Sequence, residues 1–123
     1  MTPSREFLLE REAKMMKLWI DDVRPAPEGY VWLRSVKHAK SHIEGCEGMI
    51  ALNEKYREKY AIEIIDIDHD AGEWCFHGGD YIKLLDWLEE TGRNYPIRIH
   101  SMNPVGVANM RAIIERNGWK EIR

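Results

Sequence analysis

The stretch that decides the fold is Ile62-Glu63-Ile64-Ile65-Asp66-Ile67-Asp68-His69-Asp70. Four isoleucines within the first six of these residues predict a β-strand, because β-branched side chains pack well on a pleated surface. Three titratable side chains then follow one another, and they mark the point where the strand ends. The stretch therefore predicts a strand whose carboxyl end carries a cluster of polar groups.

The same pattern predicts further strands on either side of this one. Strands are expected at residues 17–20, 30–33 and 95–99, with a weaker one at 119–122. Predicted helices lie between them. Strands that alternate with helices indicate an α/β fold, a three-layer α/β/α sandwich with a mainly parallel sheet.

The predicted helices are bounded by residues that commonly cap helices. Ser35 caps a helix that stops at Gly45, and a second helical stretch covers residues 47–59. Two more helices follow downstream. They run from a cap at Asp80 to Gly92, and from a cap at Asn103, with Pro104 in the first position, to Asn117-Gly118.

Length and composition predict one soluble globular domain. The chain has 123 residues, of which 44% are hydrophobic and 32% charged, which suits a single folded core. Residues 1–14 are expected to be an N-terminal extension, with Thr2 and Pro3 as the start of a short helix, and residues 15–123 to be the domain. Two cysteines do not make a disulfide framework, and no apolar run approaches the ~20 residues of a membrane span. A cytoplasmic protein is the expectation.

The charge is small in total but unevenly distributed. The net charge is −3, with about −7 on residues 1–90 and +4 on residues 91–123. A negative total disfavours a protein that grips long duplex nucleic acid, and no membrane partner is expected.

Polar clusters follow three of the predicted strands. They are Asp21-Asp22, then Asp68-His69-Asp70, then His100-Ser101 with Asn103. In an open parallel sheet ligands bind beyond the carboxyl ends of the strands, so these clusters are expected to meet in one crevice. Each has a simpler interpretation, because Asp, Ser and Asn also cap turns and helices. Three clusters at three strand ends favour a functional site.

An EF-hand calcium loop is a poor explanation of the central cluster. Asp66, Asp68 and Asp70 have the spacing that opens such a loop. However, the sixth position is Ala71, where the loop needs Gly, and the twelfth is His77, where it needs Glu. The acidic spacing therefore requires another interpretation.

The order of these clusters resembles the receiver domains of response regulators. In that family an acidic pair after the first strand holds Mg²⁺, and a central aspartate accepts a phosphoryl group. Asp21-Asp22, Asp68 and the hydroxyl residue Ser101 match these positions. The lysine that closes a buried last strand in receivers is not found, since Lys120 lies in a weak segment.

A closer resemblance is to the cyclic-phosphate processing receiver domain family. Three of its motifs are present in the right order over about residues 17–118. They read Leu18-Trp19-Ile20-Asp21-Asp22-Val23-Arg24-Pro25-Ala26-Pro27, Ile67-Asp68-His69-Asp70-Ala71-Gly72 and His100-Ser101-Met102-Asn103-Pro104-Val105-Gly106. The resemblance implies a receiver-like (flavodoxin-like) fold and a role in handling 2′,3′-cyclic phosphate ends.

Hydrolysis of a cyclic phosphodiester would assign roles to the residues of these motifs. The catalytic group would comprise His69 and His100 as base and acid, with Asp68 and Asp70. The metal ligands for one Mg²⁺ or Mn²⁺ would be Asp21, Asp22 and Asp68. The phosphate oxygens would be held by Ser101, Asn103 and Arg24. The alternative is a receiver-like regulatory module that binds a phosphorylated ligand or partner without turnover.

Overall fold

The core of the molecule is a parallel sheet, seen in a computed structural model that describes residues 15–123. The predicted N-terminal extension, residues 1–14, lies outside the described residues. The strands are β1 (Met16–Ile20), β2 (Tyr30–Leu33), β3 (Ile62–Ile67) and β4 (Ile97–Ile99). Their order across the sheet is β2-β1-β3-β4, and each neighbouring pair is parallel. The predicted α/β fold with a receiver-like parallel sheet is confirmed.

The weak strand predicted at residues 119–122 is present only as one isolated β-bridge. Glu121 pairs with Ile97 in parallel, while Ile97 N–H donates to the Lys120 carbonyl at 2.9 Å and Ile122 N–H to the Ile97 carbonyl at 2.8 Å. Ile97 is the first residue of β4. Lys120 therefore lies beside the amino end of that strand, away from the carboxyl ends where the polar clusters lie.

One long helix replaces the two that were predicted after β2. Helix α1 (Val36–Leu52) runs through Gly45, and it is followed by a 3₁₀ turn (Glu54–Tyr56) and the short α2 (Arg57–Tyr60). The predicted stop at Gly45 is wrong because the buried stripe of α1 continues beyond it at Cys46. Glycine in a helix costs about 1 kcal/mol, and packing of the stripe offsets that cost. The helix ends at Asn53, whose N–H donates to the Met49 carbonyl.

The second half of the chain contributes two more helices. A 3₁₀ segment (Gly72–His77) precedes α3 (Ile82–Glu90), and α4 (Pro104–Asn117) follows β4. Asn103 caps α4 as predicted, since its side chain accepts from Gly106 N–H at 3.0 Å. The predicted cap at Asp80 is wrong. Its carboxylate instead accepts from Ala71 N–H at 3.0 Å, so it closes the loop before α3.

The two faces of the sheet have different contents. One face packs with the helices into the hydrophobic core and includes Leu18, Ile20, Ile65 and Ile67. On the other face the register aligns one residue from each strand in a single row. That row is Trp32, Trp19, Asp66 and Arg98.

No helix within residues 15–123 is long and apolar enough to cross a membrane.

Strands β1 and β2 are parallel neighbours, yet no helix connects them. Residues 21–29 return the chain to the start of β2 as a loop that contains Pro25 and Pro27. The acidic pair Asp21-Asp22 therefore opens a short return loop.

Tyr81 links the start of α3 to the connection between β2 and α1. It is fully buried, and its hydroxyl donates to the Arg34 carbonyl at 2.7 Å. We expect Tyr81→Phe to lower the free energy of unfolding by about 1–3 kcal/mol, because it leaves a buried carbonyl without its donor. Urea denaturation measures the change. Tyr56→Phe is the control, since no hydrogen bond from that hydroxyl is found among the described residues; equal losses in both variants would contradict the role of Tyr81.

Candidate functional site

Three carboxylates from two adjacent strands meet at the carboxyl edge of the sheet. Asp21 and Asp22 follow β1, Asp68 follows β3, and one oxygen from each lies within 4.8 Å of the others. Asp21 is fully buried and Asp68 is 9% exposed. Carboxylate oxygens at this spacing are the donors that Mg²⁺ and Mn²⁺ take in proteins. This acidic triad could hold a metal ion.

The two members of the acidic pair have opposite electrostatics. Burial, together with the charges of Asp21 and Asp68, raises the pKa of Asp22 above its ordinary value. Burial would also raise the pKa of Asp21, but hydrogen bonds from Arg24 N–H, His100 and Val23 N–H outweigh it and lower that pKa. Asp22 is thus the carboxylate whose charge is least compensated, and a cation would relieve it.

His100 holds Asp21 in place through both of its ring nitrogens. Nε2 lies 2.9 Å from an oxygen of Asp21, and Nδ1 lies 2.6 Å from an oxygen of Asp66. The ring stacks on Trp19 with 3.8 Å between centroids and 4° between planes, and its side chain is only 8% exposed. Each ring nitrogen of His100 thus lies within hydrogen-bond distance of a different carboxylate, so the ring bridges Asp21 and Asp66.

Asp66 is a site residue that the sequence reasoning did not assign. It is fully buried, and its second oxygen accepts from Arg98 Nη1 at 3.0 Å. Its signal in the sequence is an acidic residue inside a strand of isoleucines, where an unpaired charge would be costly. Its partners His100 and Arg98 lie more than 30 residues away in the chain, so the pattern alone did not identify them.

Arg34 was also missed, and it fixes the main chain of the acidic pair. Its Nε and Nη2 donate to the Asp22 carbonyl at 3.0 and 2.7 Å. The guanidinium lies between two indole rings, 4.7 Å from the centre of Trp32 and 4.9 Å from that of Trp74. Stacking on both faces holds the guanidinium in one orientation.

The second histidine of the motifs is paired with its neighbour. His69 Nδ1 lies 2.8 Å from an Asp70 oxygen, and the His69 side chain is 15% exposed. The Asp68 carboxylate accepts from His69 N–H at 2.8 Å, so the histidine is tied to a member of the acidic triad. In the neutral tautomer that donates from Nδ1 to Asp70, Nε2 carries the lone pair.

Two glycines of the motifs make room for site side chains. A Cβ at Gly72 would lie 2.3 Å from an oxygen of Asp22. A Cβ at Gly106, in the first turn of α4, would lie 2.5 Å from the ring of His69. The second and third motifs are therefore fitted to each other in space.

The predicted phosphate-binding residues lie around this centre with internal partners. The Ser101 hydroxyl accepts from Asn103 N–H at 3.1 Å, and Asn103 itself caps α4. Arg24 is exposed, and its Nη1 donates to the His100 carbonyl at 3.1 Å. The cap role of Asn103 is thus observed, Ser101 closes a turn just before the helix, and the exposed guanidinium of Arg24 lies beside the site.

Comparison with known families agrees with this geometry. The model of the cyclic-phosphate processing receiver domain matches residues 16–116. The chain belongs to this family. No curated protein and no solved structure matches the chain. The match runs from the start of β1 almost to the end of α4, so the receiver domain contains the acidic triad and both histidines of the site.

Gly106→Ala tests whether α4 positions His69 in the receiver domain. We expect the variant to stay folded, because alanine favours a helix. We also expect the new Cβ to displace the His69 ring, because the two would otherwise overlap. Imidazole resonances in a ¹H–¹⁵N NMR spectrum report the displacement. Gly48→Ala is the matched control, since a Cβ there meets nothing within 4 Å; it should stabilise by about 0.5–1 kcal/mol and leave His69 unchanged. An unmoved His69 ring in Gly106→Ala contradicts the contact.

Proposed function

We propose that this receiver domain is a metal-assisted phosphoesterase that opens cyclic phosphates, with 2′,3′-cyclic phosphate ends of RNA or nucleotides as substrates. The observation that supports it most is the acidic triad beside a histidine whose Nδ1 is bonded to a carboxylate. A phosphoryl-transfer site needs charge compensation and a positioned proton acceptor. The crevice offers candidates for both.

The metal would be held by Asp21, Asp22 and Asp68. The donor set fits a divalent cation, because three carboxylates lie within 4.8 Å, and burial together with the charges of Asp21 and Asp68 raises the pKa of Asp22. Oxygen ligands suit Mg²⁺ or Mn²⁺. When bound, the ion would neutralise charge on the phosphoryl oxygens as a Lewis acid.

His69 is the group we assign to proton transfer. When the Nδ1–H of His69 donates a hydrogen bond to Asp70, the lone pair on Nε2 can accept a proton from the attacking water. The water oxygen forms a bond to phosphorus, and the bond from phosphorus to one ribose oxygen breaks. The released ribose oxygen takes up a proton from solvent and His69 returns to solvent the proton that it accepted, so that one water is added overall and a phosphomonoester results.

His100 is better placed to position than to transfer protons. Both of its ring nitrogens are bonded to carboxylates, and the ring is covered by Trp19. In this role it fixes the orientation of Asp21, as groups bonded to a metal ligand commonly do. Arg24, Ser101 and Asn103 remain the candidates for the phosphate oxygens, beside the positive end of the α4 dipole.

A second function is favoured by the internal partners of His100, Ser101 and Asn103. With these side chains already bonded, the crevice could hold a phosphorylated ligand without turning it over. The domain would then be a regulatory receiver-like module. The two functions make different predictions for the His69 variant. A phosphoesterase loses product formation when His69 is removed, whereas a binding module forms no product and can change only in its affinity for the ligand.

Asp22→Asn separates metal binding from fold stability. We expect the variant to be more stable than the parent without metal, because it removes a carboxylate that is repelled by its neighbours. We also expect it to lose the stabilisation by Mn²⁺, which for the parent reaches about 2.7 kcal/mol at 100 times the dissociation constant. Thermal unfolding with EDTA and with Mn²⁺ measures both effects. Asp86→Asn is the surface control, and an unchanged Mn²⁺ response in Asp22→Asn contradicts the metal centre.

The role of His69 is tested with uridine 2′,3′-cyclic phosphate and Mn²⁺. We expect His69→Ala to lower kcat at least about 100-fold, the usual contribution of a positioned base, with a smaller loss for Asp70→Asn. Product formation is followed by ³¹P NMR. The exposed His38→Ala serves as control. Turnover that persists in His69→Ala rules out this mechanism, and binding without turnover by the parent protein favours the regulatory module.

A further inference from the structure

A groove lined by cationic side chains and one exposed phenylalanine lies on the same edge of the sheet as the acidic triad. It encloses about 450 Å³ between the first half of α1 and the 3₁₀ segment that follows β3. Lys37, Lys40 and His77 line it together with Phe76, whose side chain is 89% exposed. Glu44 also lines the groove, and two lysines against one glutamate leave the lining net positive.

One 3₁₀ segment runs from the candidate site to the groove. The 3₁₀ segment begins at Gly72, in contact with the Asp22 carboxylate, and ends at His77 on the groove. Five residue steps at a rise of about 2.0 Å separate these ends by roughly 10 Å. Between them lies Trp74, which stacks on Arg34 and has its ring centre 5.8 Å from that of His77.

The wall between the 3₁₀ segment and α1 is tightly fitted. Gly78 has φ of 115°, and a Cβ there would lie 2.8 Å from the Val36 side chain and 3.1 Å from Lys37 N. Ser35 caps the helix by accepting from His38 N–H. The first turn of α1 therefore packs against the end of the 3₁₀ segment, and the groove lies alongside residues 37–44 of the helix.

We propose that this groove binds the nucleotides upstream of the reacting phosphate, so that the ligand is the end of a single-stranded RNA. This rests on the proposed function. Single-stranded nucleic acid is held by cations that contact phosphates and by aromatic rings on which bases stack. Lys37 and Lys40 supply the first, and the exposed ring of Phe76 supplies the second. An isolated cyclic mononucleotide in the crevice would leave the groove unused.

Charge limits the length of strand that binds. The whole chain carries −3, so a long strand would meet repulsion beyond the local positive patch. The groove and crevice together fit a few nucleotides. A cavity of about 720 Å³ lined by residues from 46–62 and 94–96 lies at the opposite edge of the sheet, beside the amino ends of β3 and β4, and it does not adjoin the triad.

The test measures binding without turnover. Fluorescein-labelled hexauridylate with a 3′-phosphate is titrated with the protein in EDTA, and anisotropy is followed at several salt concentrations. We expect Lys37→Gln with Lys40→Gln to weaken binding at least about tenfold at low salt. The slope of log K against log salt should fall by about 0.7 for each lysine. Phe76→Ala should weaken binding about tenfold with an unchanged slope.

Matched controls keep the outcome interpretable. Lys55→Gln with Lys59→Gln removes the same charge from an exposed segment beyond α1, and it should change affinity less than twofold. Equal effects of the two lysine pairs, or hexaglutamate binding as tightly as the RNA, would overturn the proposal. Failure of the groove variants to alter RNA binding, with turnover of uridine 2′,3′-cyclic phosphate retained, would overturn the groove and leave the proposed function intact.

Discussion

The hydrogen bonds of His100 to Asp21 and Asp66 are the interaction on which the site depends. Buried carboxylates at one edge of a sheet repel one another unless a cation or a donor stands between them. His100 places one ring nitrogen against each of two carboxylates, in a plane that Trp19 fixes by stacking, and Arg98 pairs with the remaining oxygen of Asp66. With this compensation built in, Asp21 can be held beside Asp22 and Asp68.

The three motifs cooperate through close approaches that only glycine allows. Gly72 of the second motif makes room for Asp22 of the first, and Gly106 of the third makes room for His69 of the second. The three motifs therefore supply the polar side chains of the site and also the glycines that leave space for those side chains. Gly72 and Gly106 are therefore as necessary to the geometry of the site as its polar side chains.

The sequence predicted the parallel fold and the meeting of polar clusters because both follow from local patterns and from topology. The sequence-based predictions were wrong or incomplete where a residue distant in the chain determines a helix boundary or a side-chain partner. Gly45 continues a helix because the buried stripe extends past it, and Asp80 bonds to Ala71 rather than capping α3. Asp66 was left unassigned because His100 and Arg98, the groups that stabilise its charge, come from the end of another strand. Arg34 was missed for the same reason, since its indole and carbonyl partners are identified only in the folded chain.

The loop of residues 21–29 joins two parallel neighbours without a helix, and both of its ends are restrained. Trp32 Nε1 donates to the Asp21 carbonyl at 2.8 Å, Trp19 Nε1 donates to the Arg24 carbonyl at 2.9 Å, and Pro25 and Pro27 restrict the backbone beyond them. Few backbone conformations remain open to this loop. The entropy of ordering it is therefore lost during folding, so any ligand held by the carboxylates would bind with little further conformational cost.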